Sequence, residues 1–452
     1  VLPYFILLLY SVTFVRKRYS IFTGGLFLFC VISMPQMSAY TVEVRMYGWA
    51  LLFVTAAFFH AYGCVEAGSP LMEDRGTTGS LFMEDAGRAD NLSAEDVSRT
   101  DRKNRRERGR CFHGTALVLY GLAAAYTQYF ACVAVVMVYL YVLAAFWFQD
   151  KRRVKEWLWY VAVSIVGYIP WLFALMGQIS AVRENYWILP LTWRSIGGCV
   201  KFLMKPAFRS EVINVILAVV VCAGYVLVVG GFLISYVKIN RIKSGNSTKV
   251  YHNGRVLYPF AGLFVLIGLV VFGFAASILI RPVFVYRYMI PAAGCFWLCL
   301  VICLDEMLCK LDSNPVLRKE DSSILQSNRV IVMLRGLLSA FLILLIVIGL
   351  RDYRAFLGEE EYKILLMKDT ESALAQIESE DIVLYNFDQV QAVTSYYLKE
   401  ESKRYLWNGR AESLIQEIIG PCETVEETDV IKDWLVQEQT EQETGRRIWV
   451  IG

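Results

Sequence analysis

The sequence predicts a polytopic α-helical membrane protein followed by a small C-terminal α/β domain. Two observations carry this reading. Hydrophobic residues make up 56% of the 452 residues and charged residues only 19%, against about 25% charged in an ordinary soluble domain; the mean hydropathy is +0.44. The charge is also unevenly distributed. From Arg351 onward there are about 22 acidic against about 11 basic residues, so the +3 net charge hides a basic membrane part and an acidic tail.

A membrane-crossing helix needs about 20 apolar residues. About ten candidate runs are present, near 1–15, 20–34, 48–65, 111–126, 130–148, 157–175, 213–236, 257–280, 289–305 and 330–350. The stretch from Cys111 to Phe148 is too long for one span and divides at its most polar point, Tyr126-Thr127-Gln128-Tyr129. Basic groups fall in alternate connections: Arg16-Lys17-Arg18, Lys151-Arg152-Arg153-Lys155, Lys238 with Arg241 and Lys243, and Arg318-Lys319. Positive residues mark the cytoplasmic side. The connections around 35–47, 126–129, 178–211 and 281–288, and everything after Leu350, are then extracytoplasmic. The chain starts at Val1 within a short apolar run, and we read it as beginning inside a longer protein.

Residues 66–110 are polar and end in Arg102-Lys103-Asn104-Arg105-Arg106-Glu107-Arg108. With few apolar side chains to bury, they read as a disordered cytoplasmic insert whose basic run holds anionic lipid. The domains are therefore 1–350, membrane, and 351–452, extracytoplasmic. In the latter, Asp381–Asn386, Arg404–Trp407 and Arg446–Ile451 read as strands, alternating with helical patterns at 389–398 and 411–419, which suggests parallel pairing. Most of the 11 cysteines lie in apolar runs and read as small packing residues rather than a disulfide framework. No Gly-rich nucleotide loop and no zinc-protease motif is present. The charge balance argues against nucleic acid as a partner; the lipid bilayer is the expected one.

Polar side chains at membrane depth are costly, so their positions are informative. Tyr40-Thr41-Val42-Glu43-Val44-Arg45-Met46-Tyr47 opens the third run. Two residues apart, Glu43 and Arg45 would not face each other on a helix, so each is expected to find a different partner. Arg281 and Arg287, the latter in Tyr286-Arg287-Tyr288, lie in a short outer connection against the charge bias, where Arg forks suit phosphate. Tyr126, Gln128 and Tyr129 offer hydroxyls and an amide, and Trp187, in an aromatic outer loop, can stack on a sugar. A boundary of snorkelling Arg and belt Tyr and Trp accounts for the same residues. All four clusters nevertheless fall on one side and mix carboxylate, Arg, Tyr and Trp, as an outward-facing site would.

Glu43-Val44-Arg45-Met46-Tyr47, opening a helix after a proline, resembles an element of bacterial family 39 glycosyltransferases, relatives of the protein O-mannosyltransferases. Tyr126-Thr127-Gln128-Tyr129 is similar to a turn of that family that usually carries His where Gln128 stands. Arg287-Tyr288-Met289-Ile290-Pro291 is similar to a third element. The order agrees along residues 1–350. The resemblance implies a C-type glycosyltransferase fold in a bacterial cell membrane, acting at the outer face. A polyprenyl-phosphate-sugar donor would give up its sugar, with inversion, to a protein, lipid or glycan acceptor. It implies phosphate binding by Arg45, Arg287 and Arg281, and a cavity lined by Tyr47, Tyr126, Gln128, Tyr129, Trp187 and Tyr288. The family's main catalytic Asp lies in an earlier outer loop and is expected upstream of Val1, which leaves Glu43 as the candidate base within this chain. No cofactor is implied with certainty, and a divalent cation stays open.

Two other classes compete. A transporter or flippase for a lipid-linked glycan would need charges along a path through the membrane or paired broken helices, and the sequence displays neither. A non-catalytic scaffold presenting the tail domain leaves Glu43, Arg45, Arg281 and Arg287 without a role.

Overall fold

The structure is a computed structural model. It describes residues 1–43, 45–66, 91–182, 190–243, 254–280, 282–312, 324–379 and 381–386, and, beyond these, 390, 394–395, 397–398, 402–407, 422–425 and 447–451. The chain forms two compact units, Val1–Phe356 and Leu357–Gly452.

The first unit is helical, and its apolar helices make it a membrane protein. Among the described residues seven helices are long and apolar enough to cross a bilayer: Tyr47–Glu66, Tyr129–Gln149, Lys151–Ala174, Glu211–Ser235, Tyr258–Leu279, Tyr286–Cys309 and Val332–Leu374. That corrects the count of about ten. The shortfall has a physical reason in each run. The first forms α1 (Leu2–Tyr10), a π-turn at Ser11–Val15 and α2 (Arg16–Arg18). The second is α3 (Ile21–Ser33), only 13 residues, started by Ser20 Oγ accepting from Thr23 N at 3.0 Å. The apolar residues after Cys111 are only the end of α6 (Asn91–Thr127).

Helix α6 also overturns the reading of disorder for part of 66–110. Residues from Asn91 to Arg110 are its first turns; 67–90 lie outside the described residues. Arg, Lys and Glu are good helix formers, and an adjoining apolar helix removes the cost of nucleation. The long apolar stretch divides at Gln128, which leaves the helical region (φ −160°, ψ 141°) to cap α7 (Tyr129–Gln149).

Two helices occupy the centre, α5 (Tyr47–Glu66) and α12 (Ile290–Asp312): 89% and 83% of their most apolar stretches are buried. By contrast α8 (Val154–Val182) presents its apolar stretch outward, as do large parts of α10 (Glu211–Lys243), α11 (Gly254–Leu279) and α13 (Ile324–Leu374). Lipid solvates such faces. Small residues bring the central helices together. A Cβ on Gly262 of α11 would overlap the Cys295 carbonyl of α12, and one on Gly294 would overlap Thr55 Oγ1 of α5. At the far end of α12, Asp305 accepts from Ser20 Oγ (2.6 Å) and from Thr23 Oγ1, tying α3 to the centre. All eleven cysteines are free thiols.

Between α3 and α5 the chain turns at Met34–Met37, where Met37 N donates to Met34 O (2.9 Å) and Gln36 takes φ 65°. A short helix α4 (Ala39–Val42) follows and stops at Glu43, whose ψ of 122° is extended. An amphipathic helix α9 (Arg194–Met204) lies in the connection after α8.

The second unit contains a four-stranded sheet ordered β3-β2-β1-β4, with β1 (Ile382–Tyr385), β2 (Lys403–Trp407), β3 (Glu423–Val425) and β4 (Ile448–Ile451). Every pairing is parallel, with Leu384 opposite Tyr405 and Val450. The sequence reading finds β1, β2 and β4 but not β3, which is three residues long and mostly exposed. The pattern near 411–419 lies outside the described residues. Helix α13 runs to Leu374, well past residue 350, because Glu- and Lys-rich turns continue it; Lys363 pairs with Glu359 (3.0 Å) and Glu360 (2.9 Å). Asp381, 1% exposed, sits at the foot of β1 and accepts from Glu378 N (3.0 Å), Trp449 Nε1 (2.9 Å) and Arg447 Nη2 (2.9 Å).

Candidate functional site

A carboxylate, two arginines and two phenols gather at the Tyr47 end of α5, beside the break between α4 and α5. Arg45 Nε lies 3.2 Å from Glu43 Oε1. This corrects the expectation of separate partners. The rule that positions two apart diverge holds only within a helix, and Glu43 is extended here. Tyr40 and Tyr47 meet edge to face at 5.2 Å. Arg287 reaches the same place from the turn before α12 (Tyr286–Met289), and it acts electrostatically on both phenols together with Glu43 and Arg45. Burial, reinforced by Glu43 and Tyr47, outweighs the two arginines and pushes the Tyr40 phenol up to about 12. It therefore stays protonated at neutral pH and can donate a hydrogen bond.

Tyr288 stacks on Phe130 of α7 at 4.6 Å. Two residues before Phe130, Gln128 is 8% exposed, and neither its amide nitrogen nor its oxygen has a hydrogen-bond partner among the described residues. Two of the three sequence elements thus meet, Glu43 to Tyr47 and Arg287 to Tyr288, and the turn at 126–129 is linked to them through Phe130, the residue after it. Helix α9 packs on the same turn, with Gly198 leaving room for the Tyr286 hydroxyl.

Not every expected residue is part of this group. Tyr126 donates to Gly167 O of α8 (2.7 Å) and packs on Tyr168 and Trp171, and Tyr129 also acts on Tyr168. Tyr126 therefore packs on α8, whereas Gln128 is buried. Arg281 and Trp187 lie outside the described residues. Sequence reading omitted Tyr40 from the site, although it sits on the quoted segment one helical turn before Glu43.

Comparison with protein-family models, curated proteins and solved structures finds no match.

Among the described residues no group of three or more His, Cys, Asp or Glu is placed to hold a metal ion. In general chemistry, guanidiniums can pair with anions, a carboxylate can accept a proton and phenols can donate hydrogen bonds, and the cluster holds two, one and two of these groups. A cavity of about 920 Å³ lies elsewhere and does not coincide with it. That cavity lies toward the Glu66 end of α5 and includes His60 and His113, which the sequence reading passed over. The available signal was that two of the three histidines fall inside apolar runs, where a polar ring is expensive.

Proposed function

We propose that this membrane protein transfers a sugar from a polyprenyl-phosphate donor to a hydroxyl of a protein, lipid or glycan at the outer face of the membrane. The observation that carries the reading is the convergence of Glu43, Arg45, Tyr47, Arg287 and Tyr288, from segments far apart in the chain, at one end of the central helices. In the reaction the acceptor oxygen attacks the anomeric carbon opposite the phosphate, which gives inversion. The carbon–oxygen bond to phosphate breaks, and the electron pair leaves on polyprenyl phosphate. Arg287 and Arg45 stabilise that charge as it develops. The acceptor proton passes to a carboxylate, and Glu43 is the one within the described cluster. Tyr40, held protonated, donates to a sugar or phosphate oxygen.

A second reading, a transporter of lipid-linked glycan, draws support from the polar groups lining the cavity at the other end of α5. One experiment separates the two. Membranes carrying the protein are given a radiolabelled polyprenyl-phosphate sugar, with wild type compared against Arg287→Ala and Glu43→Gln at matched expression. Transfer by wild type, lost in both variants, is the expected result. Sugar that crosses the bilayer still attached to its carrier would favour transport; undiminished transfer by both variants would remove the cluster from the site.

A further inference from the structure

We propose that the cavity bounded by α1–α2 and α6 and floored by α5 binds an anionic membrane lipid, its phosphate at the Lys17 end and its chain along the aromatic wall. This goes beyond the sugar-transfer reading and does not rest on it, since the two sites lie toward opposite ends of α5.

The walls are arranged as a lateral cleft. Helices α1 and α6 both pack on α5. They are tied to one another where Tyr10 donates to Tyr120 at 3.0 Å. From that tie toward Arg18 and Phe112 the lining encloses about 920 Å³, within the range of roughly 300–1,000 Å³ that holds a drug-sized ligand. Leu119 and Phe112 on the α6 wall are 62% and 63% exposed, so the cleft opens sideways onto the lipid-facing surface. A lipid chain can enter there without leaving hydrocarbon.

The opposite end is polar and carries an excess positive charge. Arg18 Nε pairs with Glu66 Oε2 at 2.8 Å, and its guanidinium lies 4.0 Å from the centre of the Phe14 ring. These two charges cancel. Lys17 lines the same cavity and has no ion pair with a described residue. The floor supplies directed hydrogen bonds. With the Tyr10 hydroxyl donating to Tyr120, Tyr10 accepts from His60 Nε2 (3.1 Å). Neutral His60 then accepts at Nδ1 from His113 Nδ1 (2.9 Å). With its proton on Nδ1, His113 presents Nε2 as an acceptor, which suits a headgroup hydroxyl and leaves the phosphate to Lys17. Gly63 of α5 makes this arrangement possible, because a Cβ there would come within 2.5 Å of the His113 ring.

Charge selects the occupant. A basic pocket between membrane helices, open to lipid, suits a phosphate headgroup. A zwitterionic headgroup would bring its own cation against Lys17, and a soluble anion would gain nothing from the exposed apolar wall of Phe112 and Leu119.

The test is native mass spectrometry of the purified whole chain, offered phosphatidylglycerol or phosphatidylcholine of the same chain length. The expected result is one retained phosphatidylglycerol, favoured at least fivefold over phosphatidylcholine. Lys17→Gln should weaken it about fivefold, and Ala116→Trp, which fills the cavity, should abolish it. Because a bulky variant can fail to fold, wild type is also cross-linked with a diazirine-tailed phosphatidylglycerol. The label should fall on peptides containing Phe112 to Ala123. Equal retention of both lipids, or labelling confined to other helices, would overturn the proposal. Displacement of the lipid by millimolar inorganic phosphate would reassign the site to a free anion.

Discussion

Arg45 and Glu43 form a 3.2 Å ion pair across two residues of sequence, a contact that the helix break between Val42 and Tyr47 makes possible. Arg45 is more than half exposed and Glu43 about one-third exposed, so the pair contributes little to stability, typically within about 1 kcal/mol. Glu43→Gln and Arg45→Gln should therefore leave the thermal unfolding midpoint within about 2 °C of wild type while sugar transfer falls about 100-fold. Thermal scanning beside the radiolabel assay checks both halves; a large loss of stability would make the pair structural.

Gln128 couples function and stability in the opposite direction. Burying an amide without partners costs about 1–3 kcal/mol. Gln128→Leu should raise stability by about 1 kcal/mol, measured by chemical unfolding in detergent, and reduce transfer. A destabilised variant would mean that the amide is already satisfied in the folded protein.

Asp305 holds two hydroxyls, those of Ser20 and Thr23. The two hydroxyls lie 3.0 Å apart, so in Asp305→Ala one can donate to the other but one proton loses its acceptor, which should destabilise the first unit by about 1–3 kcal/mol. Hydrogen exchange should rise first in α3, ahead of α5 and α12.

Asp381 makes the second unit sensitive to acid. Burial raises its carboxyl, but the Glu378 N–H, Trp449 and Arg447 together outweigh that and hold it below the ordinary carboxylate value. A depressed folded value means that the stabilisation is complete above the unfolded carboxyl range, near about 3.9, and is lost as pH falls through the folded value below it. Amide protection in β1 and β4 should thus be constant from neutral pH to about pH 5 and collapse below about pH 4. Asp381→Asn should abolish that acid transition and lower stability at neutral pH by about 2 kcal/mol.

The sequence by itself determined the class of the protein. Hydropathy over a window of about 20 residues is a local property, so the apolar runs, the division near Gln128 and the strands at 382–385, 403–407 and 448–451 were all legible. It also marked the polar segments that meet at the Tyr47 end of α5, because charge and aromatic clusters stand out against an apolar background. Other features needed the tertiary structure. Glu43 can face Arg45 because α4 ends at Glu43, whose ψ is extended. Tyr126 packs on α8, whereas Gln128 is buried. Strand β3 is defined by its partner rather than by its own three residues. The His60–His113 bond joins helices whose approach is set by Gly63. In each case the deciding feature is the approach of segments apart in the chain or the point where a helix ends. Neither is encoded in the local period of hydrophobicity, and packing settles both.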